Sequence, residues 1–142
     1  ERGENITGMI SLEMLGYFSD AEGSQAFPIP GMHWIYPGRG NFIGVIGNSS
    51  SSGLVARVRN SLEAVSRVPV ESLVASSIIP GVDFSDHRSF WKMGCEAVMV
   101  TDTAFYRNPN YHTTRDTIET LDFEKMADLL GGLIRAVQDL AE

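Results

Sequence analysis

The sequence predicts an α/β fold, in which short apolar strands alternate with amphipathic helices. Three observations carry this prediction: apolar runs of strand length recur along the chain, a central segment repeats apolar residues at helical spacing, and the C-terminal segment does so again. With 142 residues, 43% of them hydrophobic, the chain has the size of one domain with a single core.

Four strands are predicted from the apolar runs. The first spans Ile6 to Leu15, where an almost unbroken run is typical of a strand buried on both faces of a sheet. The other three are Asn41 to Gly47, Val68 to Ala75 and Ala97 to Val100. Because helices separate several of these strands, we expect layers of helix and sheet.

Three helices are predicted. The first runs from about Ser52 to Ser66, and a short one begins at Ser85 or Asp86, either of which is a suitable N-cap. The last runs from Phe123 to Ala141. Its N-cap is Asp122, and the stripe expected to be buried comprises Phe123, Met126, Leu130, Leu133, Val137 and Leu140.

Two long loops interrupt the regular elements. The segment Gly16 to Gly40 contains too much Pro and Gly for a long helix or a central strand, so we expect an ordered functional loop whose aromatic residues are packed. Within it, His33, Trp34 and Tyr36 could line a substrate pocket or could anchor the loop itself. The second loop spans Thr101 to Thr120 and is rich in polar residues.

Composition excludes several classes of protein. Eleven basic residues against 18 acidic ones give a net charge of −7, which argues against a binder of nucleic acid or of anionic membranes and favours a small or peptidic partner. The single Cys95 excludes an internal disulfide and a thiolate metal site. No apolar run approaches the roughly 20 residues of a transmembrane helix.

Two residues are candidates for metal binding. Glu13 is an acid inside an apolar strand, so it must be paired, bound to a metal or placed at the end of the strand. The alternative is a solvated carboxylate on a face that also exposes Ser11. His112 lies in a polar loop after a strand and could bind zinc, with a carboxylate orienting its second ring nitrogen; alternatively, it bonds only to its neighbours.

Other suggestive patterns carry less weight. Ser85, Asp86 and His87 contain the letters of a catalytic triad, but consecutive residues cannot adopt its geometry, so Asp86 is read as a cap and His87 as a surface or packing residue. The glycines in 38–40 and 44–47 do not complete a phosphate-binding motif between a strand and a helix.

Five sequence blocks in a fixed order resemble the C-terminal half of the di-zinc aminopeptidases, a family that includes bacterial leucyl aminopeptidases and aminopeptidases S and Y. The blocks are I-S-L-E-M-L-G-Y (10–17), Y-P-G-R-G-N-F-I-G-V-I-G-N (36–48), F-S-D-H-R-S-F-W (84–91), G-C-E-A-V-M-V-T-D (94–102) and Y-H-T-T-R-D-T (111–117). Their joint order covers nearly the whole chain.

The resemblance implies a three-layer α/β/α sandwich around a mixed, mostly parallel sheet, as in zinc exopeptidases. It also implies that residues 1–142 are the C-terminal portion of a single catalytic domain that lacks its N-terminal side. The absence of an initiator Met agrees with this expectation. A half domain is expected to expose a sheet edge and apolar surface, and therefore to form a dimer or larger assembly.

The same resemblance assigns roles to five residues. Glu13 corresponds to an acidic ligand of one zinc ion and His112 to a histidine ligand of the other. Tyr111 corresponds to a tyrosine that hydrogen-bonds the oxyanion formed from the scissile carbonyl. Asp86 is expected to border the site and contact substrate or support the ligands, and Asp116 to steady the loop that bears His112. The implied substrate is a peptide with a free, usually apolar, N-terminal residue.

The chain departs from the family pattern in one major respect. The second histidine ligand, the bridging aspartate and a pair of glutamates come from a half that these 142 residues do not contain. Since a zinc ion takes about four ligands, we expect the chain alone to bind zinc poorly and to be inactive. A metal-free binding or scaffolding relative, and a cyclase on the same fold, remain as alternatives. Phe84 also stands where some members have a substrate-binding arginine.

Overall fold

A computed structural model describes residues 6–141, which form four short strands and three helices joined by two long loops. The strands are β1 (Met9–Glu13), β2 (Ile43–Gly47), β3 (Val70–Val74) and β4 (Ala97–Thr101), and the helices are α1 (Ser52–Val65), α2 (His87–Lys92) and α3 (Phe123–Ala141). All seven predicted elements are present, so the α/β prediction is confirmed.

The four strands form one mixed sheet in the order β1-β4-β2-β3. The pairs β1–β4 and β2–β3 are parallel, whereas β4 and β2 are antiparallel, which confirms the expected mixed and mostly parallel sheet. Glu13 pairs with Thr101, Thr101 with Gly44, and Gly44 with Glu71. These four residues therefore form one row across the sheet.

Helices cover both faces of the sheet. On one face, α1 packs on the core side chains of the central strands and α3 packs on α1, burying Ile43, Val45, Val98 and Val100. On the other face, α2 lies against β4 and β1, where the hydroxyls of Ser11 and Ser85 are 2.6 Å apart. This arrangement confirms the three-layer sandwich.

The C-terminal helix is anchored at its first turn and along α1. The backbone N–H of Asp122 donates to the carbonyl of Gly16 at 2.8 Å, and the carboxylate of Asp122 accepts from the N–H of Lys125 at 3.0 Å. This second bond confirms Asp122 as the N-cap. Farther along, a Cβ at Gly132 would lie 2.9 Å from the side chain of Leu62, so the close approach of α3 to α1 requires a glycine there.

The predicted buried stripe of α3 is wrong in part. The face that packs inward consists of Leu129, Gly132, Leu133 and Ala136, whereas Phe123, Leu130 and Val137 are 54%, 56% and 60% exposed. At about 100° per residue, the three exposed residues lie on the side of α3 away from Gly132 and α1. The helix is therefore apolar on two adjacent faces, and the described residues cover one of them.

The first strand also differs from its prediction. Leu12 is 54% exposed, although its apolar run indicates burial on both faces. Within residues 6–141, β1 is an edge strand with only β4 beside it, and this explains the exposure. No helix in residues 6–141 is long and apolar enough to cross a membrane.

The loop from Gly16 to Gly40 is ordered, as expected, by bonds to itself and to a neighbouring turn. Ser19 N–H donates to Gly40 at 2.8 Å, and Ala26 N–H donates to the carbonyl of Tyr106 at 2.8 Å. The expectation that all its aromatic residues are packed is wrong for Trp34, which is 83% exposed. Trp34 ends a short surface turn, and its ring lies 4.8 Å from that of His33 between centroids.

Candidate active site

A largely apolar pocket lies on the face of the sheet opposite α1 and has a volume of about 110 Å³. Its floor comes from the sheet, and its walls come from the two long loops and from the segment between β3 and α2. The floor residues include Gly44, Ile46, Leu73, Met99 and Thr101, and the wall residues include Phe27, Met32, Tyr36, Phe84, Phe105 and Tyr111. Of the three aromatic candidates in the first loop, only Tyr36 lines this pocket, and His33 and Trp34 do not.

Glu13 ends β1 and lines the pocket. The alternative in which Ser11 and Glu13 are exposed together is wrong, because Ser11 is only 5% exposed and its hydroxyl contacts that of Ser85. The residue after Glu13, Met14, has a φ of +52°, which is rare outside glycine. The chain therefore turns sharply out of the sheet directly after the glutamate.

A buried aspartate that the sequence analysis missed holds this turn. Asp102 follows β4, and its carboxylate accepts from the N–H groups of Gly16 at 3.1 Å, Tyr17 at 2.8 Å and Ala104 at 2.9 Å. Its own N–H donates to the carbonyl of Met14 at 2.6 Å. Burial raises the pKa of Asp102, and the N–H donors partly oppose that rise. The signal was available, since an acid directly after a buried strand lies where α/β sites form.

Tyr111 and His112 form a stacked pair at the pocket's edge. Their ring centroids are 3.9 Å apart and their planes differ by 15°. Tyr111 lines the pocket and also lies 5.7 Å from the ring of Phe105, whereas His112 is exposed and has a φ of +56°. The loop thus presents a phenol to the pocket and an imidazole to solvent.

Asp116 supports this loop through a buried asparagine. The side-chain amide of Asn108, which is 2% exposed, donates to the Asp116 carboxylate at 3.1 Å. The side-chain oxygen of Asn108 accepts from the N–H of Asn110 at 2.8 Å, and Thr113 N–H donates to the carbonyl of Asn110. This geometry is compatible with the role expected for Asp116.

Asp86 is exposed at the start of α2, and no bond of its carboxylate caps the helix. Asp86 occupies the predicted N-cap position, but its side chain does not cap the helix, because its backbone angles, φ −60° and ψ −27°, are helical rather than the extended ones of a capping residue. The other candidate cap, Ser85, directs its hydroxyl to Ser11 instead. Asp86 is not among the residues that line the pocket.

His87 is a packing residue rather than a surface one. It is fully buried, its Nε2 lies 2.8 Å from the carbonyl of Val82, and its ring meets Trp91 edge-on at 4.5 Å. Its Nδ1 has no hydrogen-bond partner among the described residues. Burial lowers the pKa of His87, which favours the neutral imidazole.

A buried arginine joins the first loop to the sheet. Arg107 donates from Nε and Nη2 to the side-chain oxygen of Gln25 at 2.9 and 2.8 Å, and from Nη1 to the carbonyl of Phe42 at 2.8 Å. Burial lowers its pKa to about 10. A Cβ at Gly40 would lie 2.8 Å from Nε of Arg107, so this contact requires glycine. The pocket wall is therefore held by a polar network that local sequence patterns do not reveal.

The described residues do not by themselves fit a complete zinc site. In residues 6–141 no three His, Cys, Asp or Glu side chains lie close enough together to hold a metal ion. Glu13 lies at the pocket and His112 projects from the loop, and each has a ligand type that zinc accepts. The described residues therefore provide separate candidate zinc ligands and an apolar pocket, rather than a complete metal site.

Comparison with protein families adds independent evidence. The model of Peptidase family M28 matches residues 2–136. The chain belongs to this family. This M28 chain is 45% identical over 126 residues to the uncharacterized protein YfbL of Escherichia coli K12, covering 89% of the chain and 39% of that protein.

Known aminopeptidases are more distant. Leucine aminopeptidase 1 of Fusarium vanettenii is 28% identical over 130 residues, which cover 90% of this M28 chain and 28% of that protein. The crystal structure of the Legionella pneumophila LapA aminopeptidase superimposes with a TM-score of 0.67 at 20% identity, over 96% of the chain and 31% of that structure. The chain thus spans less than two-fifths of these relatives, and the last comparison supports the fold alone.

Proposed function

We propose that this chain is part of a zinc-dependent aminopeptidase that removes N-terminal residues from peptides. One observation carries the proposal: Glu13 and Tyr111 both line the same apolar pocket. Such a pocket suits the side chain of a terminal residue, and the polar groups lie where its peptide bond would be processed. Membership of a peptidase family supports the same conclusion.

In this proposal Glu13 and His112 each supply one ligand, to two different zinc ions. Residues 6–141 contain no cluster of ligand side chains large enough to hold a metal ion. The remaining ligands must therefore come from outside these residues. Asp102 fixes the backbone after Glu13, and Asn108 with Asp116 orders the loop that bears His112. These are positioning roles, and they use only contacts within the chain.

Tyr111 is the catalytic residue that we propose for this chain. Tyr111 lines the pocket, and a phenol O–H there can donate a hydrogen bond to the oxygen of the scissile carbonyl as negative charge develops on it. The chain's contribution is then threefold: it binds the terminal side chain, supplies one ligand to each of the two zinc ions, and stabilises the oxyanion. Asp86, which lies outside the pocket lining, is proposed only as a group at the border of the bound peptide.

The isolated residues 1–142 should bind zinc weakly and hydrolyse no leucyl-anilide, because single ligands do not make a zinc site. The experiment compares zinc titration and leucyl-anilide hydrolysis for this fragment and for the longer protein that we propose it belongs to. In the longer protein, Glu13→Gln should reduce zinc content and turnover, whereas Glu22→Gln, at an exposed surface acid, is the matched control. Tight stoichiometric zinc binding and substrate turnover by the fragment would contradict the prediction that it is inactive. Peptide binding by the longer protein, with neither zinc binding nor turnover, would support the metal-free binding alternative.

A further inference from the structure

Two carboxylates mark opposite ends of one row of the sheet. The register Glu13–Thr101–Gly44–Glu71 places Glu13 on β1 and Glu71 on β3, three strands away. Neighbouring strands lie about 4.8 Å apart, so the two backbones are separated by roughly 14 Å. All four residues line the same pocket, and the row therefore runs along its floor.

The middle of that row is open because Gly44 has no side chain. Beside it, Ile46, Leu73 and Met99 provide apolar floor, and aromatic residues of the loops provide the walls. Among the described residues that line the pocket, no Lys or Arg is present, and the acids are Glu13 and Glu71. An aliphatic group therefore fits the centre of the pocket, and a positive charge fits its ends.

Glu71 has no cation bound to it in residues 6–141. The nearby Arg59 of α1 instead donates to Glu63 at 2.9 Å, and both of these side chains are more than two-fifths exposed. Burial raises the pKa of Glu71, an effect that the charge of Arg59 partly offsets. A carboxylate beside an apolar pocket is stabilised when a ligand brings it a positive charge.

We propose that the pocket selects peptides whose N-terminal residue has an aliphatic stem and a cationic end, such as lysine, with Glu71 binding the side-chain ammonium. The inference rests on the proposed function, because Glu13 and Tyr111 mark where the peptide bond lies. The four-carbon stem of lysine packs over Gly44 and Ile46, as lysine stems pack on apolar surface elsewhere. A leucine side chain fills the same space but leaves Glu71 without a partner.

The first experiment measures kcat/KM of the zinc-loaded longer protein for lysyl-anilide and norleucyl-anilide, which share the stem and differ in the ammonium. The wild-type protein should favour lysine, and Glu71→Gln should lower the lysine-to-norleucine ratio roughly ten- to a hundredfold, the value of a hydrogen bond between charged groups. Glu96→Gln, at an exposed acid outside the pocket lining, is the matched control, and its ratio should equal that of the wild type. Hydrolysis of norleucyl-anilide with no preference for lysine, and no effect of Glu71→Gln on the ratio, would overturn the proposal.

A second experiment separates this inference from the aminopeptidase proposal. Methyl NMR spectra of the same protein without zinc are recorded during titration with n-hexylammonium and with 1-hexanol. We expect saturable shifts at Ile46 and Met99 with the amine, weaker shifts with the alcohol, and loss of the difference in Glu71→Gln. Preferential binding of the amine supports the site even if no anilide is cleaved, an outcome that would defeat the proposed function alone. Equal binding of amine and alcohol counts against the site.

Discussion

The imidazole of His112 stacks on the phenol ring of Tyr111, with centroids 3.9 Å apart and planes 15° from parallel. The contact matters because His112 has a φ of +56°, a conformation that side-chain-bearing residues seldom adopt without support from their surroundings. Tyr111 in turn lies against Phe105. A single aromatic cluster therefore fixes both the proposed oxyanion donor and the proposed zinc ligand.

Two substitutions at Tyr111 should separate its hydroxyl from its ring. In the longer protein, Tyr111→Phe keeps the stack and loses the donor, so kcat for leucyl-anilide should fall roughly a hundredfold with zinc affinity preserved. Tyr111→Ala also removes the stack and should weaken zinc binding. Steady-state kinetics and zinc titration measure both effects, with Tyr17→Phe as the matched control. Equal loss of zinc affinity in both Tyr111 variants would show that the hydroxyl acts structurally.

The elements that the sequence predicts well are those with local causes. The bounds of α3, Phe123 to Ala141, are predicted correctly because the Asp122 cap and the apolar spacing both lie within that segment. Which face of α3 is buried depends on Gly132 meeting Leu62, seventy residues earlier. The periodicity of apolar residues indicates that a helix has an apolar side, but it does not identify the element against which that side packs.

The residues of the candidate site also differ in whether local sequence or distant contacts determine their roles. Glu13 and Tyr111 are predicted as site residues from a strand-end acid and a family motif, and both line the pocket. The position of Asp102 after a strand was also visible in the sequence, but the N–H groups of Gly16 and Tyr17 that it binds lie more than eighty residues away, and so does the Gln25 side chain that Arg107 binds. Their roles arise only when the loops are folded onto the sheet.

Asp128 should make stability sensitive to acid. The hydroxyl of Ser66, with added bonds from Arg67 and Val68, lowers the pKa of Asp128 from 3.8 to about 2. The ionised side chain therefore favours the folded state above pH 4, and this contribution is lost as the pH falls from about 4 to about 2. Because the Arg67 partner is exposed, we expect the ionised Asp128 to contribute about 1 kcal/mol to the free energy of unfolding at neutral pH.

Urea denaturation of the chain between pH 2 and 7 tests this assignment. Asp128→Asn should lose that free energy of unfolding at neutral pH and show a flatter decline between pH 4 and 2. Glu96→Gln, at an exposed acid, is the matched control and should follow the wild-type curve. An Asp128→Asn curve parallel to the wild type over the whole range would refute the role of Asp128.

Arg107 should be required for the order of the first loop. Its planar guanidinium makes a fork to Gln25 and a third bond to Phe42, which the single ammonium of lysine cannot reproduce. Arg107→Lys should therefore cost about 2–3 kcal/mol of unfolding free energy and expose residues 16–40 to proteolysis. Arg39→Lys, at an exposed ion pair with Glu22, is the matched control and should change stability by less than about 1 kcal/mol. Unchanged protease resistance in Arg107→Lys would contradict this role.

Gly44 should determine how large a side chain the pocket accepts. A Cβ built there lies 3.5 Å from the side chain of Ile46 and 3.6 Å from the backbone of Thr101, ordinary contact distances, so Gly44→Ala should fold normally. The added methyl occupies the pocket floor and should lower kcat/KM for leucyl-anilide roughly tenfold, with a smaller effect on alanyl-anilide. Gly53→Ala, where no atom lies within 4 Å, is the matched control. Equal effects on both substrates would place the terminal side chain elsewhere.

The outer face of α3 should drive association of residues 1–142 when they are produced alone. Phe123, Leu130, Ile134 and Val137 are all more than half exposed and lie along one side of the helix, and contiguous apolar surface of this kind usually marks an interface. Light scattering should show a dimer or larger species, and Leu130→Glu with Val137→Glu should convert it to monomer. Ile78→Glu, at an isolated residue that is 88% exposed, is the matched control and should leave the mass unchanged. If the double variant remains associated, the outer edge of β1 is the surface to test next, because no strand pairs with it in residues 6–141 and its backbone groups can pair with a second strand. A stable wild-type monomer at high concentration would rule out association through either surface.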